Sequence, residues 1–352
     1  MKIIFSFNKN GEEASCLERE ISNVSRDGVT FFPFNHGAIL DPSLYATALA
    51  LDRLYQARDA GLLRLYREFE ATVAKTQADA VIVANAPAYH PDYLKRIPLY
   101  KVLFSADDPG ATYLINIPYL HAYQHVFFVA PTYSADMDMT KKMRYAGMEN
   151  ADWVPISVFD FEYDPTRGET DVFSQERDID IIYIGGFWRQ KVPLLADVRR
   201  AFGRRFRCYG FFGPKHNLFI NARHGYGGWI SPVSLQERVS LYQRARIGIN
   251  IHWNEHGLGN QRLYHLPANG VMQISDCADD LHRIYEPGRE IVGYRGADDL
   301  IDKIRYFLSH EAEREAISRA AYRRTMRDYR FAEVASQAAN LIERGMERIG
   351  WH

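Results

Sequence analysis

The pattern that most constrains the fold is the alternation of short apolar runs with longer amphipathic segments along the whole chain. Short apolar runs are typical of buried parallel strands, and the segments between them are typical of helical crossovers, so the pattern predicts an α/β protein. It restarts after a polar stretch without periodicity at 158–178, and 352 residues exceed what one hydrophobic core usually organises. We therefore expect two Rossmann-like domains facing across a cleft.

The polar stretch divides the expected elements into two sets. In the first, strands fit 2–7, 80–85, 101–106, 125–130 and 153–156, and helices fit about 12–24, 43–58, 62–77 and 132–146. In the second, strands fit 179–186, 205–210, 247–252, 271–275 and 290–294, and helices fit 190–202, 234–245, 260–269, 298–309 and a pair over 311–348. Ligands of open parallel sheets bind beyond the carboxyl ends of the strands, so residues that follow strands carry the most information.

Composition excludes several classes of protein. A formal net charge of −1 argues against binding to nucleic acid or anionic lipid by bulk electrostatics, although a local basic patch remains compatible with it. The opening residues 1–13 read as a first strand, and no apolar run approaches the roughly 18 residues of a membrane span, so we expect a cytoplasmic protein. The three cysteines are far apart and lack CxxC spacing, which predicts neither a disulfide framework nor a thiolate metal site.

The first candidate site follows the strand at 179–186. There the sequence GGFWRQK places Gly185, Gly186, Arg189 and Lys191 where a helix begins. Glycines allow close approach of a phosphate, a helix N-terminus offers free N–H groups, and arginine adds a bidentate charge. A plain strand-to-helix turn explains the glycines equally well. No GxGxxG or GxxxxGK[ST] motif is present.

A second glycine-led helix start lies at 257–270, in the sequence GLGNQRLYHLPANG. Gly257 and Gly259 lead to Asn260, which suits an N-cap, while Arg262 and His265 share one face of the short helix that follows. Both side chains can converge on one anionic ligand near the positive helix end. The alternatives are a structural salt bridge for the arginine and a satisfied, partly buried histidine.

Acidic residues follow the strand at 101–106. Asp107 and Asp108 are placed there for one of them to act as a general base toward an incoming hydroxyl. An Asx turn before Pro109 explains one aspartate, and metal binding by the pair is the third alternative. The histidine pairs His121/His125 and His252/His256 cross element boundaries and lack a third ligand, so the sequence does not favour zinc.

A basic segment also stands out in the second half. Seven basic residues and no acidic one lie between Arg199 and Arg223, and the segment 210–232 is rich in aromatic residues and glycine. It fits a lid, an acceptor-binding surface or a patch for a phosphorylated polymer, or else a solvated helix face followed by an ordinary insertion.

Taken together, these residues resemble a GT-B glycosyltransferase, with the pattern of the CgeB-like group in the glycosyl transferase group 1 superfamily. The resemblance is carried by VLFSADDP, DIIYIGGFWRQK, GINIHWNEHGLGNQRLYHLPANGVMQISD and IYEPGREIVGYRGADDLIDKIRYFLSHEAERE. A fainter likeness to the phage DNA β-glucosyltransferase lies in the aspartate after LFSA, the GGFWR turn and the arginine of RLYH.

The resemblance implies an acceptor-binding domain at 1–158, a nucleotide-sugar-binding domain at 159–334, and a last helix, about 335–352, that crosses back to the first domain. It implies Asp107 or Asp108 as the base. It matches Arg189 and Arg262 to diphosphate ligands. Together with the two glycine-led helix starts, the expected donor-binding residues are Gly185, Gly186, Arg189, Lys191, Gly257, Gly259, Asn260, Arg262, Tyr264 and His265. The family pattern R-x-[FYW]-E has a glutamate that accepts both ribose hydroxyls, whereas this chain has His265, which offers at most one acceptor nitrogen.

The expected function is a metal-independent transfer of a sugar from a nucleotide diphosphate sugar, UDP first, to a hydroxyl of a glycan, lipid-linked or small-molecule acceptor. No cofactor is expected besides the donor, and no nucleic-acid partner. Specificity is expected in the loops 8–13, 31–37 and 85–91. The alternatives are a sugar-nucleotide epimerase and a non-catalytic binding module.

Overall fold

The computed structural model describes residues 1–26, 28–84, 88–105, 117–130, 139–186, 191–210, 213–252 and 259–351. The chain divides into two compact units. The first comprises Met1–Ile156 together with Phe331–His352, and the second comprises Ser157–Arg330. The sequence placed the boundaries at 158/159 and 334/335.

The first unit is built on a seven-stranded sheet with the order β2-β3-β1-β4-β5-β6-β7. Only β2 runs antiparallel to its neighbour. Numbered along the whole chain, its strands are β1 Lys2–Phe7, β2 Ser25–Arg26, β3 Val29–Asn35, β4 Ala80–Ala84, β5 Tyr100–Ser105, β6 His125–Phe128 and β7 Ala151–Trp153. Its helices are α1 Gly11–Asn23, α2 Ala48–Gln56, α3 Ala60–Thr76, α4 Pro91–Leu94, α5 Met139–Tyr145 and α13 Phe331–Arg348. Short 3-10 turns occupy His36–Ala38, Pro42–Tyr45 and Ile117–Ala122.

The second unit is built on a five-stranded, wholly parallel sheet with the order β12-β11-β10-β8-β9. Its strands are β8 Ile179–Ile184, β9 Phe206–Tyr209, β10 Ala245–Asn250, β11 Met272–Ser275 and β12 Val292–Gly293. Its helices are α6 Glu169–Ser174, α7 Lys191–Phe202, α8 Pro214–His224, α9 Leu235–Gln243, α10 Arg262–Ala268, α11 Gly296–Ser309 and α12 Glu311–Asp328. Short 3-10 turns lie at Asp160–Glu162, Gly203–Arg205 and Leu281–Arg283.

The expected fold class is confirmed, because each unit has its own parallel sheet and its own apolar core. The last helix also behaves as expected: α13 groups with the first unit and buries Phe331, Val334, Ala338 and Ile342. At Gly345 the backbone of α13 comes so close to Tyr100 and His125 that an added Cβ would overlap them. Glycine at this position therefore lets the helix dock.

The prediction of a loop at residues 31–37 is wrong. Residues 29–35 form β3, which pairs with β1 in parallel register and places Pro33 opposite Phe5. Proline argues against a strand interior, but β2 covers only Val29 and Thr30, so β3 is an edge strand at Pro33 and needs no donor there.

Candidate functional site

The carboxyl ends of β8, β10 and β11 form a polar cluster in the second unit. Asn250, the last residue of β10, is completely buried and organises this edge. Its Oδ1 accepts from Asn260 Nδ2 (2.9 Å) and from Arg262 Nε (3.2 Å), and its Nδ2 donates to Ser275 Oγ (3.3 Å). One amide therefore ties the start of α10 to two strand ends.

Arg262 extends from α10 back to the same edge. Its Nη1 donates to the carbonyl oxygen of Ile184 (2.8 Å), its Nη2 donates to that of Ile251 (3.0 Å), and the guanidinium carbon lies 4.5 Å from the ring centroid of Tyr183. The side chain is largely buried. The positive charge of Arg262 therefore lies at the edge of the sheet, where all its hydrogen-bond acceptors are uncharged oxygens.

Lys191, the first residue of α7, brings a second charge to the same place. Its Nζ donates to the carbonyl oxygen of Ile251 (2.9 Å), the acceptor that Arg262 also uses. Burial, with a further contribution from the charge of Arg262, lowers the pKa of Lys191 to about 8, although Asp276 acts in the opposite direction. Two cations thus share one carbonyl oxygen.

The two cations lack a carboxylate of their own among the described residues, where neither Lys191 nor Arg262 forms a salt bridge. Asp276, which acts on Lys191 electrostatically, is bound to His252 through Nδ1 (2.5 Å) and the backbone N–H (2.8 Å). Lys303 shows the usual arrangement, because its ammonium contacts both a carbonyl oxygen and the Asp299 carboxylate. The edge therefore carries excess positive charge suited to an anion.

Gly185 and Gly186 shape this edge. Any side chain at Gly185 would overlap Arg262 Nη1 and come within 3.2 Å of Tyr183 Oη, so glycine here makes room for the guanidinium. The carbonyl oxygen of Gly186 accepts from the Tyr183 hydroxyl (2.9 Å). The structure thus gives Gly185 a steric reason that the sequence pattern did not reveal.

Asn260 holds the start of α10, as its position in the sequence suggested. Its Oδ1 accepts from the backbone N–H of Leu263 (3.0 Å), and its Nδ2 donates toward the carbonyl oxygen of Ile251 at 3.5 Å. Gly259 precedes it and is half-buried. Gly185, Lys191, Asn260 and Arg262 are therefore brought together around the end of β10.

His265 points to a different partner. Its Nε2 lies 2.8 Å from Glu162 Oε1, an ion-pair contact without hydrogen-bond alignment, and both side chains are buried. Arg238 Nη2 donates to the same oxygen (3.3 Å), and the backbone N–H of Phe159 donates to Oε2 (3.0 Å). Burial alone would raise the pKa of Glu162, but His265, Arg238 and the Phe159 N–H together hold it below its usual range.

The contact between His265 and Glu162 joins α10 to the Asp160–Glu162 turn. Asn269, four residues later on the same face of α10, donates through Nδ2 to the carbonyl oxygen of Glu162 (3.0 Å). His265 and Asn269 together fasten the Asp160–Glu162 turn to α10. A nitrogen 2.8 Å from a carboxylate oxygen must carry hydrogen to avoid repulsion, so Nε2 cannot also accept from a ribose hydroxyl.

Tyr264 is a core residue. Its ring is completely buried and packs edge-to-face on Tyr329 (5.0 Å between centroids) and against Tyr285 (6.3 Å). The structure therefore gives Tyr264 a packing role in place of the donor contact expected from the sequence. The remaining expected site residues, Asp107, Asp108, Arg189 and Gly257, lie outside the described residues.

The sequence did not reveal Asn250, Glu162 or the His252–Asp276 pair as site residues. The only signal for Asn250 was its place at the end of a strand, and His252 was considered with His256, which lies outside the described residues.

Within the described part of the chain, His252, Asp276 and Cys277 place three ligand atoms within 4.8 Å of one another, a set able to hold a metal. The nearby charge of Lys191 opposes a divalent cation there.

Comparison with solved structures supplies the class of this fold. Sucrose-phosphate synthase (tll1590) from Thermosynechococcus elongatus has a TM-score of 0.63 at 10% identity and 98% coverage of both chains. Anabaena Alr3699/HepE in complex with UDP and glucose has a TM-score of 0.61 at 12% identity, covering 97% of this chain and 99% of that one. A putative UDP-N-acetylglucosamine 2-epimerase from Listeria monocytogenes has a TM-score of 0.57 at 11% identity, covering 98% and 97%.

The architecture is therefore GT-B, two Rossmann-like units in one chain. Residues 189–340 match the family described as glycosyl transferase-like, and this segment contains Lys191, Asn250 and Arg262. The resemblance to GT-B glycosyltransferases of the group 1 superfamily is thus confirmed. No curated protein sequence matches the chain. Within the described residues, no helix combines the length and apolarity of a membrane-spanning segment.

Proposed function

We propose that the protein is a glycosyltransferase that moves a sugar from a nucleoside diphosphate sugar to an acceptor hydroxyl. The observation that carries the proposal is the pair of cations, Lys191 and Arg262, that share the Ile251 carbonyl oxygen without a salt bridge to any described carboxylate. Burying charges without a counter-ion is costly, and a diphosphate supplies two adjacent negative groups for such a pair.

The same arrangement fits the chemistry of the transfer. When the bond between the sugar and the diphosphate breaks, negative charge develops on the departing phosphate oxygen, and fixed cations stabilise it most at that moment. In the proposal Asp107 or Asp108 removes the acceptor proton, and direct displacement inverts the anomeric centre. If neither aspartate reaches the acceptor, the reaction proceeds with retention, assisted by the leaving phosphate.

The proposed donor is a UDP-sugar, and no metal is required. UDP is favoured because the Anabaena protein with a related fold is in complex with UDP and glucose. Metal independence follows from the charges, since Lys191 and Arg262 already supply the neutralisation that a divalent cation would bring. The acceptor is a hydroxyl of a glycan, a lipid-linked sugar or a small molecule.

The proposal is tested by a thermal-shift panel with UDP, GDP, CDP, dTDP and ADP, each with magnesium or with EDTA. We expect UDP to raise the melting temperature in EDTA, because a ligand that binds only the folded state stabilises it. Lys191→Gln and Arg262→Ala should abolish the shift. Lys303→Gln is the matched control, because this lysine of the same unit has its own carboxylate partner.

If no diphosphate stabilises the folded wild-type protein at saturating concentration, the assignment of the donor site is wrong. A shift that appears only with magnesium would contradict metal independence and direct attention to His252, Asp276 and Cys277.

A sugar-nucleotide epimerase is the second candidate, because the Listeria monocytogenes protein of related fold is described as a putative 2-epimerase. An epimerase converts its sugar nucleotide without an acceptor, whereas a transferase releases UDP in proportion to added acceptor. Binding of UDP without turnover in either assay would indicate a binding module.

A further inference from the structure

Helix α8 exposes apolar side chains that helices of soluble proteins normally bury. Lys215, Leu218, Phe219, Ala222 and Arg223 follow the i, i+3, i+4, i+7, i+8 spacing of one helix face, and all five are exposed. Leu218 is 65% exposed and Phe219 is 55% exposed. The face that α8 turns to its own unit buries Asn217 and Ile220. The outward face is thus the more apolar of the two.

Trp229 adds a third large side chain to this region and is held in place from both sides. Asn217 exchanges two hydrogen bonds with the backbone of Ile230 (2.8 and 3.0 Å), and Asn221 exchanges two with the backbone of Gly228 (2.8 and 3.2 Å). The segment 228–230 therefore runs along α8, and Trp229 between the two anchored residues remains 58% exposed.

The chain segment that contains α8 carries charge of one sign. No aspartate or glutamate occurs between Asp197 and Glu237, a stretch with seven basic residues. Arg200 and Arg205 are paired with carboxylates, but Lys215 and Arg223 form no salt bridge with a described residue. The apolar stripe of α8 therefore has a free cation at each end.

We propose that α8 and Trp229 bind the surface of an anionic lipid bilayer. Leucine and phenylalanine side chains enter the boundary between headgroups and acyl chains, tryptophan favours the headgroup level, and flanking lysine and arginine reach anionic headgroups. Lipid fits this face better than a protein groove, because both ends of the apolar stripe carry the same charge. The inference is independent of the donor site.

The test is co-sedimentation of the full chain with vesicles of phosphatidylcholine alone and of phosphatidylcholine with about one third phosphatidylglycerol. We expect binding to the anionic vesicles that weakens with added salt. Lys215→Gln/Arg223→Gln should weaken it roughly thirty-fold, which is about fivefold for each charge removed. Leu218→Ser/Phe219→Ser should weaken binding to the anionic vesicles at least about tenfold.

Leu44→Ser/Leu49→Ser is the matched control, since these residues of the first unit are 50% and 60% exposed. It should leave vesicle binding unchanged. The melting temperature of each variant without ligand reports its folding and should stay close to that of the wild type. Equal binding of wild type and the α8 variants, or none to anionic vesicles, would overturn the proposal. So would a dimer in sedimentation velocity that Leu218→Ser/Phe219→Ser dissociates, because a second copy would then cover the face.

Discussion

At the scale of single residues, Lys191 should make the affinity for UDP depend on pH. With its pKa near 8, the ammonium is charged below this pH and neutral above it. We expect the Kd for UDP to rise by up to about tenfold per pH unit above about 8, because only the charged form pairs with the diphosphate. Isothermal titration over this range measures the slope, and Lys191→Met should remove it. A wild-type slope that persists in Lys191→Met would contradict the assignment.

The same pKa sets the sign of a stability effect. Between about 8 and the ordinary lysine value of 10.5, the folded state binds fewer protons than the unfolded chain, so the free energy of unfolding rises with pH in this window. Lys191→Met should lose this contribution, which urea unfolding without ligand can measure alongside the titration.

A substitution at Gly185 tests whether UDP binding requires the observed position of the Arg262 guanidinium. Gly185→Ala places a methyl group against the guanidinium, so Arg262 has to leave the Ile184 carbonyl oxygen. We expect a loss of roughly 1–3 kcal/mol in unfolding free energy and a loss of the UDP shift. Gly168→Ala is the control in the same unit, since its added Cβ would meet only Asp171 Oδ2 at 3.9 Å. Undiminished UDP binding by Gly185→Ala would show that the guanidinium position is not needed.

The substitution His265→Glu tests whether this chain tolerates the glutamate that the family pattern has at position 265. His265→Glu puts a second carboxylate beside buried Glu162, so we expect a loss of roughly 3 kcal/mol or more in unfolding free energy. Exchanging the pair, with Glu162→His added, should recover much of this loss. Chemical denaturation of the wild type, both single variants and the double variant measures the coupling between the two positions. A His265→Glu protein that is stable and binds UDP more tightly would instead place position 265 at the ribose.

Glu162 also contributes to acid sensitivity. Because its pKa is held below the ordinary glutamate value of 4.5, its stabilising contribution is complete above that pH and is lost as the pH falls through the lower folded-state value.

At the scale of elements, the regular strands and helices could be predicted because their apolar residues recur with a clear period. Helix α8 could not, since its buried face contains Asn217 and its exposed face contains Leu218 and Phe219, which reverses the usual pattern. Strand β3 is hard to predict because proline normally argues against a strand. Pro33 is tolerated because β2 is too short to pair with it, and this becomes visible only in the folded sheet.

Helix α13 provides a prediction at this scale. Gly345→Val should destabilise the protein by roughly 1–3 kcal/mol, because the new side chain meets Tyr100 Oη and His125 Nδ1 where the helix packs. Glu343→Val on the exposed side of α13 controls for the helix propensity of valine. Thermal unfolding compares the two. Equal melting temperatures would mean that α13 does not need this close approach.

At the scale of the whole molecule, the two-unit GT-B organisation could be read from the sequence, whereas the contacts of the candidate site could be read only in part. Lys191 and Arg262 were expected near a diphosphate because each follows glycines after a strand. Their common acceptor is the backbone carbonyl of Ile251, which has no side-chain signature. Glu162 and His265 meet from positions 103 apart, and local spacing carries no information about such a pair.

The central claim is that Lys191 and Arg262 hold a diphosphate, and calorimetric titration of UDP against UMP in EDTA tests it most directly. We expect wild-type protein to bind UDP at least about tenfold more tightly than UMP, because a charge-assisted contact to the second phosphate contributes about 1.5–3 kcal/mol. Lys191→Met should bring the two affinities close together, while Lys303→Met should keep them apart. Equal affinities for UDP and UMP in the wild type, or no binding of either, would contradict a diphosphate site at Lys191 and Arg262.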